Sequence, residues 1–312
     1  AVNHGFKHFI VDIREEFGDW VIDRFVEDYL DGRTPNPCVL CNTHIKWAAL
    51  LKRADNLGCD FIATGHYAKV REENGRFVIS RGLDRSKDQS YALWGVQQKH
   101  LARTIFPLGS YSKKEIRQIA EDHGLLNVAN KPDSYEICFV PDDDYRRFLK
   151  ERVQGLEERV KGGNFVDKEG NILGQHEGYP FYTIGQRRGL NIPMGKPVYV
   201  THIDPHTNTI TIGEKEDLME TTLIAKELNF VKYDKVPNVE MEITGAIRYN
   251  DSGAHGIMTQ LGEDELKVHF PAGREAITPG QAIVCNEGDD IVAGGWIKKV
   301  NVALQHEMDS LV

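Results

Sequence analysis

The stretch Arg33 to Trp47, RTPNPCVLCNTHIKW, sets Cys38 and Cys41 three residues apart where a proline-rich turn passes into a helical pattern. Unpaired N–H groups and the dipole at a helix start stabilise a thiolate, so the two can be a redox pair, metal ligands or core sulfur. Zinc is disfavoured. A structural zinc site takes four ligands, often as two close pairs, and this chain has one Cys-x-x-Cys. His44 continues the spacing but lies about 120° around an α-helix from Cys38. Cys138, in NKPDSYEICFVPDDDYRRFL, is a third candidate. Alone, EICFV reads as a buried strand. Flanked by a Pro132-Asp133-Ser134 turn and by an acidic, then basic, helix start, it could also face the first pair across a cleft. Cys59 and Cys285 read as small buried hydrophobes.

Among the basic and aromatic groups, Lys46, Lys52 and Arg53 follow the cysteines on one helix, and Arg146, Arg147, Arg248 and Tyr249 stand further on. Isolated Lys and Arg are ordinarily solvated surface. Gly-Gln-Arg-Arg-Gly, with Arg187 and Arg188, is stronger, because flanking glycines let the backbone approach phosphate while two guanidiniums bind it. His66 reads as a nucleotide or base contact, or as a histidine satisfied within a turn. Asp88, Gln89 and Ser90 form a polar cluster whose bland reading is loop capping.

The elements that must position these groups follow from periodicity. After a helical tail at the first residues, FKHFIVDI (6–13) reads as a buried strand. Phe17, Val21, Phe25 and Leu30 keep helical spacing up to Gly32; a second helix runs from Cys38 to Gly58. CDFIATGHYAKV (59–70) reads as a short strand ending in a Gly-His turn, RFVISRG as a hairpin arm, and residues 112–125 as a helix with Ser112 and Glu115 spaced as a capping box. Strand, helix, loop, helix, strand is the rhythm of an α/β domain with a parallel sheet, whose ligands sit beyond the carboxyl ends of the strands. A charged helix ends near Arg159. From Gly162 short β runs and turn dipeptides take over, and from Thr222 a regular β series suggests a small barrel. The expected division is therefore 1–160, 161–222 and 223–312.

With 312 residues, 40 % of them hydrophobic, the chain can bury substantial cores. No apolar run is long enough to span a membrane, and the start lacks the zones of a signal peptide, so the cytoplasm is expected. Five cysteines are too few for a disulfide scaffold. A net charge of −9 means that any nucleic acid must meet local basic patches.

Taken together, TPNPCVLCN, ATGHYAKV, DRSKDQSYALW, SYEICFV, YTIGQRRGL, RYNDSG and AITPGQAIV resemble the motifs of the tRNA-specific 2-thiouridylases, from about residue 33 to the end. The resemblance implies a PP-loop ATPase-type (adenine nucleotide alpha hydrolase-like) α/β domain, a small β-rich tRNA-binding domain and a C-terminal β-barrel. It implies 2-thiolation of the wobble uridine of tRNA with ATP and Mg2+. Cys138 would carry a persulfide supplied by a donor such as a cysteine desulfurase or sulfur-relay protein, and Cys41 would resolve it as a Cys41–Cys138 disulfide. Both thiols are then expected to be partly exposed, mobile and of lowered pKa. Gly65 and His66 fall at the nucleotide, and Lys46, Gln89, Arg146, Arg187, Arg188, Arg248 and Tyr249 at the tRNA.

Two departures qualify this. Cys38 stands where the family commonly has Asp, so Cys38, Cys41 and Cys138 could alternatively hold an iron–sulfur cluster. The family's Ser-Gly-Gly-x-Asp-Ser-Ser ATP loop is absent, as is any Gly-x-x-x-x-Gly-Lys loop. The expectation is a trimmed chain lacking its first strand and ATP loop. The rivals are a catalytically inactive tRNA-binding fragment and a thiol redox protein using Cys38 and Cys41.

Overall fold

The computed structural model describes residues 5–131 and 137–298. The helical tail expected at residues 1–4 and the Pro132-Asp133-Ser134 turn lie outside them. The first helix runs through Arg14–Phe17, a π-wound Gly18–Asp23 and Arg24–Leu30, and Gly32 (φ +69°) ends it. A second helix, the cysteine helix, starts with Pro37 in its first turn. It continues through Pro37–Leu40, a π-wound Cys41–Ala49 and Leu50–Asn56, and Gly58 (φ +69°) follows.

Residues 6–13 are not the buried strand their apolar run suggests. They form no strand, and Ile10 is 93 % exposed. No described strand runs alongside to take their backbone hydrogen bonds, and an apolar run without a ladder has nothing to hold it extended and covered. The run at 59–70 splits in two. Ile62–Ala63 (β1) pairs in parallel with Thr104–Ile105 (β4), and after the Gly65-His66 turn Ala68–Glu73 (β2) pairs antiparallel with Arg76–Arg81 (β3). Asn74 and Gly75, both at positive φ, make the hairpin turn. The helix Lys113–Asp122 carries both hydrogen bonds of the Ser112/Glu115 capping box.

Gly163–Val166 (β5), Ile172–His176 (β6), Tyr199–Asp204 (β7) and Thr209–Gly213 (β8) form a four-stranded sheet in the order β6-β5-β8-β7. Met219–Phe230 (β9), Glu240–Ala246 (β10), Ala254–Gln260 (β11), Glu265–Glu275 (β12), Ala282–Glu287 (β13) and Asp290–Lys298 (β14) form a six-stranded barrel, closed by the β13–β14 pairing. Closure leaves the barrel no free edge.

Two of the three cores cross the expected divisions. Phe25, Val26 and Tyr29 of the first helix are buried with Leu149, Phe165, Val200 and Ile212 of the middle region. Trp47, Leu93 and Trp94 share a core with Val231, Ala282, Val284 and Ile291 of the barrel. The β2–β3 hairpin also joins the barrel sheet, Ser80 opposite Asp290. There Asp290 accepts from both terminal nitrogens, Nη1 and Nη2, of Arg71 at 2.9 Å, from Ser80 Oγ at 2.7 Å and from Lys232 Nζ at 2.9 Å.

Candidate active site

The cysteine loop is held from outside its own domain. Thr34 N–H donates to Pro279 O at 2.9 Å, and Gln281 Nε2 donates to Thr34 O at 3.1 Å and Pro35 O at 3.0 Å. Gly280 (φ +89°) must be glycine here, since a Cβ would fall 2.7 Å from Thr34 O. On the other side Arg33 donates to the buried Asp28 at 2.8 Å. Burial pushes the Asp28 carboxyl up, and Arg33 opposes that shift. The helix behind the loop is clamped by Asn42 Nδ2 on Ala92 O (2.8 Å) and Trp47 Nε1 on Thr104 Oγ1 (2.7 Å). Segment 90–96 packs so closely that a Cβ on Gly95 would lie 2.3 Å from Thr43 Oγ1.

Cys38 lies in the first turn of the cysteine helix and is exposed; Cys41 follows one turn on and is half-buried. Cys138 is not in a buried strand. Its flanks, Ile137 and Phe139, pack on the middle core, and Phe139 meets Phe17, Phe25 and Phe148 at centroid distances of 5.7, 5.1 and 5.4 Å. Val140 N–H closes a turn onto Ile137 O, which leaves the Cys138 thiol exposed between two anchors. All the thiols are free.

The three thiols are electrostatic neighbours, although Cys138 stands about a hundred residues along the chain. The charge of Cys138 is felt at Cys38 and at Cys41, and that of Lys46 at both. The expectation of lowered pKa is overturned for Cys38 and Cys41. Desolvation by the surrounding protein is the largest influence and pushes both thiols up; Lys46 opposes it without prevailing. Lys46 Nζ lies 3.3 Å from His66 Nε2, and His66 Nδ1 lies 2.7 Å from Thr64 Oγ1. Burial, helped by Lys46, lowers His66 to about 4, so the ring is neutral at pH 7. Gly65, just before it, is exposed at the carboxyl end of β1.

The polar cluster does cap its loop. Asp88 accepts from Gly82 N, Ser90 N and Ser90 Oγ, and Gln89 Oε1 accepts from Tyr67 N at 3.1 Å. Tyr249, 47 % exposed, sets its ring edge-on to Tyr91 at 6.1 Å. Burial raises the Tyr249 hydroxyl, and the charges of Asp88 and Cys38 raise it further; Arg248 next to it is exposed. Arg146, Arg187 and Arg188 lie in the middle region. Arg187 and Arg188 are exposed on a turn tied down by Gln186, whose Oε1 accepts from Thr183 N and whose Nε2 donates to Arg188 O. Arg146 lies over the Tyr182 ring at 5.5 Å. Arg147 is spent on Asp142 and Glu151, and Arg53 on Glu16. Sequence reasoning missed Gln281 and Tyr91, whose hydroxyl donates to Ala282 O at 2.8 Å; the Pro-Gly turn before Gln281 was the one local signal.

An α/β region with a cluster of free thiols ahead of its first strand, followed by a small sheet and a closed barrel, sets the class: a multidomain α/β and β-barrel protein with a thiol site. Residues 1–142 match a family described as the tRNA methyl transferase HUP domain, 146–214 the tRNA methyl transferase PRC-barrel domain and 220–297 the aminomethyltransferase beta-barrel domain. The chain is similar to the tRNA-specific 2-thiouridylase MnmA of Salinibacter ruber, with 64 % identity over 97 % of this chain and 79 % of the relative. Proteins of the same name from Cytophaga hutchinsonii (57 %, covering 96 % and 81 %) and Carboxydothermus hydrogenoformans (49 %, covering 95 % and 80 %) also match. The chain belongs to the tRNA-specific 2-thiouridylase family of sulfurtransferases. Among the described residues no helix is long and apolar enough to cross a membrane.

Proposed function

We propose that the protein carries out ATP-dependent 2-thiolation of the wobble uridine of tRNA, with Cys138 as the persulfide carrier and Cys41 as the resolving thiol. The observation that supports this reading is that the charge of Cys138, about a hundred residues along the chain, is felt at Cys41. ATP would supply an adenylate that makes the uridine C2 oxygen a leaving group, with Mg2+ arriving on its phosphates. The exposed Gly65 backbone beyond β1 is the described surface that fits such a nucleotide.

The terminal sulfur of the Cys138 persulfide attacks C2; the C–S bond forms and AMP departs. Cys41 then attacks Cys138 Sγ, the sulfur–sulfur bond to the base breaks, and 2-thiouridine leaves a Cys41–Cys138 disulfide, which a dithiol reductant reopens. A Cys41 thiol held up by burial stays protonated at rest, which guards a loaded persulfide against early discharge. A cysteine desulfurase or sulfur-relay protein would load Cys138, and the cytoplasm, where thiols are kept reduced, suits the cycle.

The tRNA would lie across Tyr249, Arg248 and Gln89 beside the thiols and reach Arg146, Arg187 and Arg188 on the middle sheet, with His66 and Lys46 lining the base pocket. The divisions near 160 and 222 remain our functional partition, the middle unit serving as a tRNA-binding surface. An iron–sulfur cluster fits less well, because among the described residues no three His, Cys, Asp or Glu side chains gather closely enough for a metal ion. No step is routed through one.

Cys138→Ser tests the reading. Thiolation of tRNA should be lost while tRNA affinity stays within about twofold; retained thiolation overturns the assignment. tRNA binding without AMP formation in the unaltered protein would favour an inactive RNA-binding role.

A further inference from the structure

Lys46 stands five residues after Cys41. In an α-helix that spacing turns the two side chains about 140° apart. The Cys41–Ala49 segment is π-wound, and its i→i+5 bonding brings residues five apart toward one face. The sequence alone, read as an α-helix, places Lys46 away from the thiols and toward solvent or RNA.

The surroundings of Lys46 orient it. An ammonium group only donates, so His66 Nε2 at 3.3 Å must accept, and the ring proton then sits on Nδ1 and is donated to Thr64 Oγ1 at 2.7 Å. A charged imidazole could not accept; burial keeps the ring neutral. Among the described residues the partner of the Lys46 ammonium is His66, a neutral ring, and not a carboxylate. The titratable groups that feel the Lys46 charge are Cys38, Cys41 and His66; Cys38 and Cys41 also feel Cys138, and Tyr249 feels Cys38. The site is half-buried, where a cation acts on sulfur more strongly than in open water.

We propose that Lys46 is a positioning residue: the Thr64–His66 pair aims its ammonium at Cys38 and Cys41, where it stabilises the negative sulfur needed for resolution. The role in resolution rests on the function proposed above, while the effect on the thiols stands without it. No tRNA, ATP or sulfur donor is needed to measure it.

The test is alkylation of the purified protein by iodoacetamide across pH, with peptide mass spectrometry to follow each cysteine. Lys46→Met should slow modification of Cys41 and Cys38 about tenfold at neutral pH and move their half-maximal rates to higher pH. Lys46→Arg should restore most of the rate, and exposed Cys59 should be unchanged in every variant. Lys46→Gln, which keeps an N–H donor for His66, serves as a second neutral variant if the methionine form melts early. Unchanged Cys41 and Cys38 profiles in both neutral variants overturn the proposal. Unchanged profiles with weakened tRNA binding would make Lys46 an RNA contact. Loss of thiolation in Cys138→Ser depends on none of these rates, so the two readings fail separately.

Discussion

Gln281, on the turn entering β13 of the barrel, holds Thr34 and Pro35 by their carbonyl oxygens, so the far end of the chain sets the position of Cys38. A Gly280→Ala change beside it meets Thr34 O at 2.7 Å and strains a backbone at φ +89°. We expect a stability loss of about 1–3 kcal/mol by denaturant titration, with faster alkylation of Cys38 as the loop loosens. Unchanged stability and an unchanged rate would show that the loop does not depend on the barrel.

Phe139 fastens the Cys138 turn to three aromatic rings. Phe139→Ala should cost about 2–3 kcal/mol, less than a fully buried Phe because the residue is partly buried. It should also lower the yield of Cys41–Cys138 disulfide after mild oxidation, read by non-reducing peptide mapping. A full yield would mean that the anchor plays no part in bringing the thiols together.

His66 titrates near 4, below its ordinary 6.5. Between those values the unfolded chain holds a proton that the folded one does not, so stability rises with pH across the window and is lost as pH falls from about 6.5 toward 4. The contribution is at most about 3 kcal/mol. Chemical denaturation of wild type and His66→Asn at pH 7 and pH 5 checks it; equal slopes in the two proteins would exclude the effect.

Asp290 joins the hairpin to the barrel, accepting from Arg71, Ser80 and Lys232, and Arg71 first among them holds its carboxyl well below the usual range. Its contribution is present above the unfolded carboxylate value and is lost as pH falls through that range toward the folded value. Asp290→Asn, which leaves two cations without their shared partner, should lower the melting temperature at pH 7 and flatten the acid limb of the stability curve. A variant as stable as wild type would mean that the pairing carries no net energy.

Local chemistry was legible where it is local. The Ser112/Glu115 cap and the stops at Gly32 and Gly58 depend on neighbours in sequence, and the strands of the barrel were visible as a series although their closing pairs, β9 with β12 and β14 and β10 with β13, are not consecutive. Residues 6–13 misled because apolar content does not supply a strand partner. The thiols misled because Lys46 and the helix start are visible in sequence, whereas the desolvation that outweighs Lys46 exists only in the folded chain. The π winding of Cys41–Ala49 leaves no signature in residue type, so the facing of Lys46 was hidden too.

Phe25 is buried against Ile212, a residue made much later during synthesis. At typical elongation speeds the ribosome takes roughly ten to forty seconds to cover that interval. For the early part of it the first helix carries an apolar stripe without its later partners: Phe139 and Phe148 are made first, and the middle sheet completes the cover. The nascent chain is therefore most open to chaperones and to misassociation midway through translation, before the middle sheet emerges from the exit tunnel.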